Sequence, residues 1–132
     1  FNARCFCWDY PVKKRTSSSS TSCSLTGFYQ NCRGLRTKLS TFKRNVSALN
    51  YSFIILTETW LSENFLNCEL GLLNYNVYRY DRCNLTSLCT RGGGVLIGIR
   101  KDIRSSLISI SNMSVEQIYV RCTIGLNSFV IG

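Results

Sequence analysis

The stretch Ser52-Phe53-Ile54-Ile55-Leu56-Thr57-Glu58-Thr59-Trp60 constrains this chain more than any other. Four consecutive large apolar residues, Phe53 to Leu56, run almost directly into a carboxylate. A short continuous apolar run of this kind predicts a strand buried on both faces. The end of that strand then places Glu58 at the lip of a sheet. In open α/β sheets, that lip is where ligands bind.

The residues before it give the lone acid a context. Leu25-Thr26-Gly27-Phe28-Tyr29-Gln30-Asn31 reads as a first strand, and Cys32-Arg33-Gly34-Leu35 as the turn that leaves it. Leu35, Leu39, Phe42, Val46 and Leu49 then recur at spacings of four, three, four and three. Those spacings trace one face of an amphipathic helix. Arg36, Lys43 and Arg44 fall off that face, and Asn50 is a suitable C-terminal stop. Strand, helix and strand over roughly 33 residues make a βαβ-sized unit. If both strands share a sheet, Asn31 and Glu58 stand at equivalent C-terminal ends. A side-chain amide and a carboxylate meet at one lip.

The rest of the chain reads as short strands. Tyr75 to Tyr80 alternates and ends in Asp81-Arg82, which reads as a turn or a structural ion pair. Gly92-Gly93-Gly94 opens the strand Val95 to Ile99. The glycines are not a phosphate loop, because no Lys-Ser/Thr follows and a strand comes next. Their expected role is close backbone approach or a bulge at a strand start. Ile103 to Ile110, Glu116 to Ile124 and Phe129 to Ile131 complete the strands, with a turn at Gly125 to Ser128. The fold class is α/β: a mixed, mostly antiparallel sheet arrangement with one clear helix, layered against a second element. Residues 1–24 read as a flexible tail, because Lys13-Lys14-Arg15 adjoins Thr16 and four serines. Residues 25–132 form the domain.

Sixteen Lys+Arg against seven Asp+Glu give a net charge of +9. That balance favours anionic partners, nucleic acid above all. The eight cysteines among 132 residues are scattered and fall short of the about 8–10% typical of disulfide scaffolds. With no His in the chain, mixed Cys/His zinc sites are excluded. Reduced cysteines, an intracellular location and no disulfide-linked partner are the expectation. No apolar run is long enough to span a bilayer, so no membrane partner is expected either.

Asn31-Cys32-Arg33-Gly34-Leu35, Leu56-Thr57-Glu58-Thr59-Trp60-Leu61, Tyr78-Arg79-Tyr80-Asp81-Arg82 and Arg91-Gly92-Gly93-Gly94-Val95 occur in this order and spacing. Together they resemble the endonuclease/exonuclease/phosphatase family. More narrowly, they are similar to the apurinic-endonuclease-like domain of non-LTR retrotransposon polyproteins. The resemblance covers roughly residues 25–132. It implies a four-layer α/β sandwich, of which this chain would hold the N-terminal half, and Mg²⁺- or Mn²⁺-dependent hydrolysis of DNA phosphodiesters in the nucleus. Glu58 would be the metal-ligand glutamate, and Asn31 the asparagine that orients groups around the scissile phosphate. Arg33, Arg79, Arg82 and Arg91 are candidate phosphate contacts. The family's later Gly-Asp-Phe/Leu-Asn and Ser-Asp-His segments have no counterpart here. The expectation is therefore a fragment inactive on its own, or a non-catalytic, basic nucleic-acid-binding remnant.

Overall fold

The computed structural model describes residues 3–12, 21–82, 92–111 and 115–132. It is a mixed α/β structure with mostly antiparallel sheets. A five-stranded sheet has the order β1-β2-β3-β5-β4, with β1 at Ala3–Val12, β2 at Thr21–Asn31, β3 at Phe53–Thr57, β4 at Tyr75–Tyr80 and β5 at Val95–Arg100. A three-stranded antiparallel sheet has the order β6-β7-β8, at Arg104–Leu107, Val120–Ile124 and Asn127–Ile131. Within the larger sheet only β2 and β3 run parallel. The chain between them is the helix α1, Leu39–Leu49, entered through a 3-10 turn at Arg36–Lys38. This is the strand-helix-strand unit expected from the apolar spacing.

β3 occupies the middle of its sheet, and its two faces explain the continuous apolar run. Ile54 and Leu56 point towards α1, into a core with Phe28, Leu35, Phe42, Val46, Leu70 and Leu96. Phe53 points the other way, into a core with Leu25, Ile97, Ile99, Val120 and Cys122. Phe53, Ile54 and Leu56 are all fully buried. Each such side chain contributes about 1.5–3 kcal/mol of transfer free energy. Phe53 also meets Phe129 edge-on at 5.7 Å and 85°, a contact that joins the two sheets. Three layers result: helix, sheet, sheet.

α1 stops at Asn50, whose φ of 43° is the left-handed conformation that asparagine tolerates at a helix end. The apolar stripe is buried at Leu35, Phe42 and Val46, but Leu49 is 62% exposed, so the stripe outruns the sheet beneath it. β6 is shorter than the run Ile103 to Ile110 suggests.

The N-terminal segment departs from the reading as a tail. Ala3–Val12 pairs antiparallel with β2 from Gln30 to Thr21. Phe6 lies over Gly27, where a side chain would collide with its ring. Cys5 Sγ is 3.0 Å from Tyr51 Oη, and Cys7 Sγ is 3.3 Å from Ser24 Oγ. Pro11 is accommodated because β1 is an edge strand. The basic cluster Lys13-Lys14-Arg15 and the serines at 17–20 lie outside the described residues. The six described cysteines that are not disulfide-bonded are Cys5, Cys7, Cys23, Cys32, Cys68 and Cys122. Among the described residues no helix is long and apolar enough to cross a membrane.

Candidate functional site

The parallel pairing of β2 and β3 sets the lip. Asn31 is level with Thr57, so Glu58 is the next residue beyond Asn31's partner. The turns leaving the two strands are stitched together. Cys32, Gly34 and Leu35 donate their N–H groups to the carbonyls of Thr57, Glu58 and Thr59 at 2.8, 2.9 and 2.8 Å. Lys38 Nζ donates to the Cys32 carbonyl and, at 3.1 Å, to that of Arg33. The lip is therefore a rigid double turn, not two loose strand ends.

Backbone strain collects here. Arg33, Glu58 and Trp60 have φ of 45°, 53° and 53°, three of the four non-glycine residues in the left-handed region among the described residues. Such conformations cost about 1–3 kcal/mol each, persist only when the surroundings over-determine them, and cluster at functional sites.

Glu58 is half-buried, and its carboxylate is held on one side. Trp60 Nε1–H donates to Oε2 at 2.8 Å, and the Gly93 N–H donates to the same oxygen at 3.1 Å. Those two bonds, the indole first, draw its pKa below 4.5, with Arg82 and Arg33 adding electrostatic help against desolvation. Oε1 accepts no hydrogen bond among the described residues. Asn31 and Arg33 are exposed beside it.

The glycine run makes the close approach expected of it. Gly92, Gly93 and Gly94 have φ of 98°, 74° and 85°. A side chain at Gly93 would collide with Glu116 and Arg82. The Gly94 N–H donates to Glu116 Oε2 at 2.7 Å, and Arg82 Nε pairs with Glu116 Oε1. Adjacent N–H groups thus hold two carboxylates, Glu58 and Glu116, along one turn of backbone. A run of oriented N–H groups of this kind is an anion-binding concavity.

Arg79, Arg82 and Asp81 find partners other than those the sequence suggests. Asp81 pairs with Arg79, not Arg82. Arg79 also donates to the Phe65 and Ser62 carbonyls, each at 2.7 Å, and to Asn67 Oδ1 at 3.1 Å, and its side chain is only 12% exposed. It anchors the 62–67 loop, in place of the phosphate contact expected of it. Arg82 stands at the site, with its charge matched by Glu116. Arg91 lies outside the described residues. Burial pushes the Cys32 thiol up to about 11 despite nearby Lys38, so it stays protonated and is no nucleophile at neutral pH.

Sequence reasoning missed Trp60 and Glu116. Trp60 stands two residues after Glu58, which is a readable signal once the turn is known to be left-handed at both positions. Glu116 is 22 residues from the Gly94 N–H it binds, and nothing local announces it.

The donor set fits a hard divalent cation in part. Mg²⁺ uses one or two protein carboxylates and keeps several waters. Glu58 Oε1 can fill one such position. Among the described residues, no group of three or more His, Cys, Asp or Glu side chains could hold an ion. No protein-family model matches the chain, and no curated protein matches it.

Proposed function

We propose that the chain carries part of the site of a Mg²⁺- or Mn²⁺-dependent DNA phosphodiester hydrolase of the retrotransposon type. The observation that carries this reading is the convergence of Asn31 and an oriented, ionised Glu58 at one strained lip. Asn31 can donate to a phosphate oxygen without adding a repelling charge. Trp60 and Gly93 hold Glu58 by Oε2 and leave Oε1 without a hydrogen bond among the described residues. When bound there, the cation would polarise a phosphoryl oxygen and offset charge on the leaving oxygen. Arg33 supplies an exposed positive charge on the same rim.

One carboxylate and one amide provide neither a general base nor a full metal shell. The chain alone is therefore expected to bind the cation weakly at Glu58 and not to nick DNA efficiently. Mn²⁺ titration followed by NMR tests this. Selective line broadening around Glu58 and Asn31, abolished by Glu58→Gln, is expected. Broadening spread evenly over all exposed carboxylates would refute the metal role, and efficient nicking of supercoiled plasmid by the chain would refute its dependence on further residues.

The net charge of +9 favours a second reading, a non-catalytic nucleic-acid-binding domain. Binding that falls steeply with salt and needs no divalent cation would select it.

A further inference from the structure

A sizeable cleft lies away from Glu58. β5 begins at Val95, opposite Thr57 beside the lip, and ends at Arg100, beyond Phe53. Five residue-to-residue steps of about 3.3 Å from Val95 put Arg100 roughly 17 Å from that lip. There the ends of the two sheets part around a cleft of about 590 Å³. That volume is within the range of about 300–1,000 Å³ of small-ligand sites.

Its walls combine an apolar floor with a cationic rim. Leu25 and Ile103, both core residues, form the floor. Arg100, Lys101 and Arg104 bring three positive charges, and Asp102 one negative charge. Asp102 is spent on Arg100, whose Nε and Nη2 reach its two oxygens at 2.7 and 2.9 Å. Arg100 is further fixed by donating Nη1–H to the Asn50 carbonyl at 2.9 Å. It is a rigid wall with a matched charge. Lys101 and Arg104 are exposed and have no ion-pair partner among the described residues. The cleft thus carries a surplus of two positive charges above an apolar base.

We propose that this cleft is a second anion site, taking a phosphate-bearing ligand of nucleotide size, with its phosphate on Lys101 and Arg104 and its apolar part over Leu25 and Ile103. Phosphate suits that rim because its several oxygens can accept from more than one cationic side chain, and such charge-assisted bonds are stronger than neutral ones. The site stands independently of any reading of Glu58.

Two sources can supply this chemistry, a free nucleotide or the backbone of a nucleic acid, and titration separates them. Backbone amides of the isotopically labelled full chain are followed by NMR at low salt, with adenosine diphosphate in one series and a short DNA duplex in another. Saturable shifts at Ile103, Arg104 and Gly125 are expected in at least one series, whether or not the duplex also moves Asn31 and Glu58. Saturation with the diphosphate alone assigns a nucleotide; saturation with the duplex alone assigns the backbone. The double variant Lys101→Gln/Arg104→Gln should bind roughly tenfold or more weakly, since two charge-assisted contacts are lost. Both side chains are exposed, so the variant should keep its fold. The proposal is overturned by non-saturating shifts in both series, by equal shifts at Lys43 and Arg44 on α1, or by undiminished binding of the double variant.

Discussion

Gly94 and Gly98 lie one before and one within the same strand, four residues apart, and the structure assigns them opposite responses to an added methyl group. Gly94 has a φ of 85°, its N–H binds Glu116, and its carbonyl accepts from the Thr59 N–H at 3.2 Å. A Cβ there would stand 2.5 Å from Thr59 Oγ1. Thr59 is fully buried and its hydroxyl has no hydrogen-bond partner among the described residues, so it has no solvent to move into. Forcing an alanine into the left-handed region costs about 1–2 kcal/mol. Overpacking a closed site adds about 1–3 kcal/mol. Gly94→Ala should therefore lose about 2–5 kcal/mol. Gly98 has an ordinary strand backbone, and a Cβ there would meet Ile54, Tyr75 and Leu72 at 3.5, 3.7 and 3.8 Å, normal contact distances. Gly98→Ala should gain about 0.4–1 kcal/mol by restricting the unfolded chain. Every 1.4 kcal/mol is tenfold in equilibrium, so the two variants should differ by more than about fiftyfold in their folding constants. Urea denaturation of both, compared at equal slope, measures this. A Gly94→Ala protein within about 0.5 kcal/mol of wild type, or a more damaging Gly98→Ala, would refute the account of this turn.

Trp60→Phe keeps a ring against Gly34 but removes the N–H that binds Glu58, so the Glu58 pKa should rise towards 4.5, read from its side-chain carboxyl carbon by NMR titration. The sign for stability follows from the depressed folded-state value: Glu58 stabilises the fold above its unfolded pKa, and that contribution disappears as pH falls through the lower folded pKa. Trp60→Phe should thus weaken the fold at neutral pH by no more than about 1 kcal/mol, given solvent screening, and should leave its stability in strong acid less changed. An unmoved Glu58 titration would contradict the orienting role of the indole. Arg79→Ala should cost about 3 kcal/mol, because it leaves Asp81 half-buried without its cation and releases two loop carbonyls. Hydrogen exchange should accelerate selectively between residues 61 and 70; a global loss below about 1 kcal/mol would show that the network is not structural.

The βαβ unit was legible from local pattern alone. The spacing from Leu35 to Val46 announces a helix, and the run from Phe53 to Leu56 a two-faced strand, because burial selects side chains with the period of the backbone. Asn31 and Glu58 followed as neighbours from that connectivity, since a parallel crossover puts both C-terminal strand ends on one edge. Ala3–Val12 was not legible. Cysteines, aromatics and a proline beside a basic, serine-rich run carry no clean alternation, and only pairing with β2 makes them a strand. The partners of Arg79 and Arg82 were equally hidden. A guanidinium can reach many acceptors, and which carboxylate it meets depends on where the loops around Ser62 and Glu116 return. Sequence by itself therefore determined the elements and the edge where the amide and carboxylate meet, because periodicity is a short-range property. Only the tertiary structure decided what holds Glu58 in place, which arginine is buried and where the second cleft opens, because those depend on contacts between residues far apart in the chain.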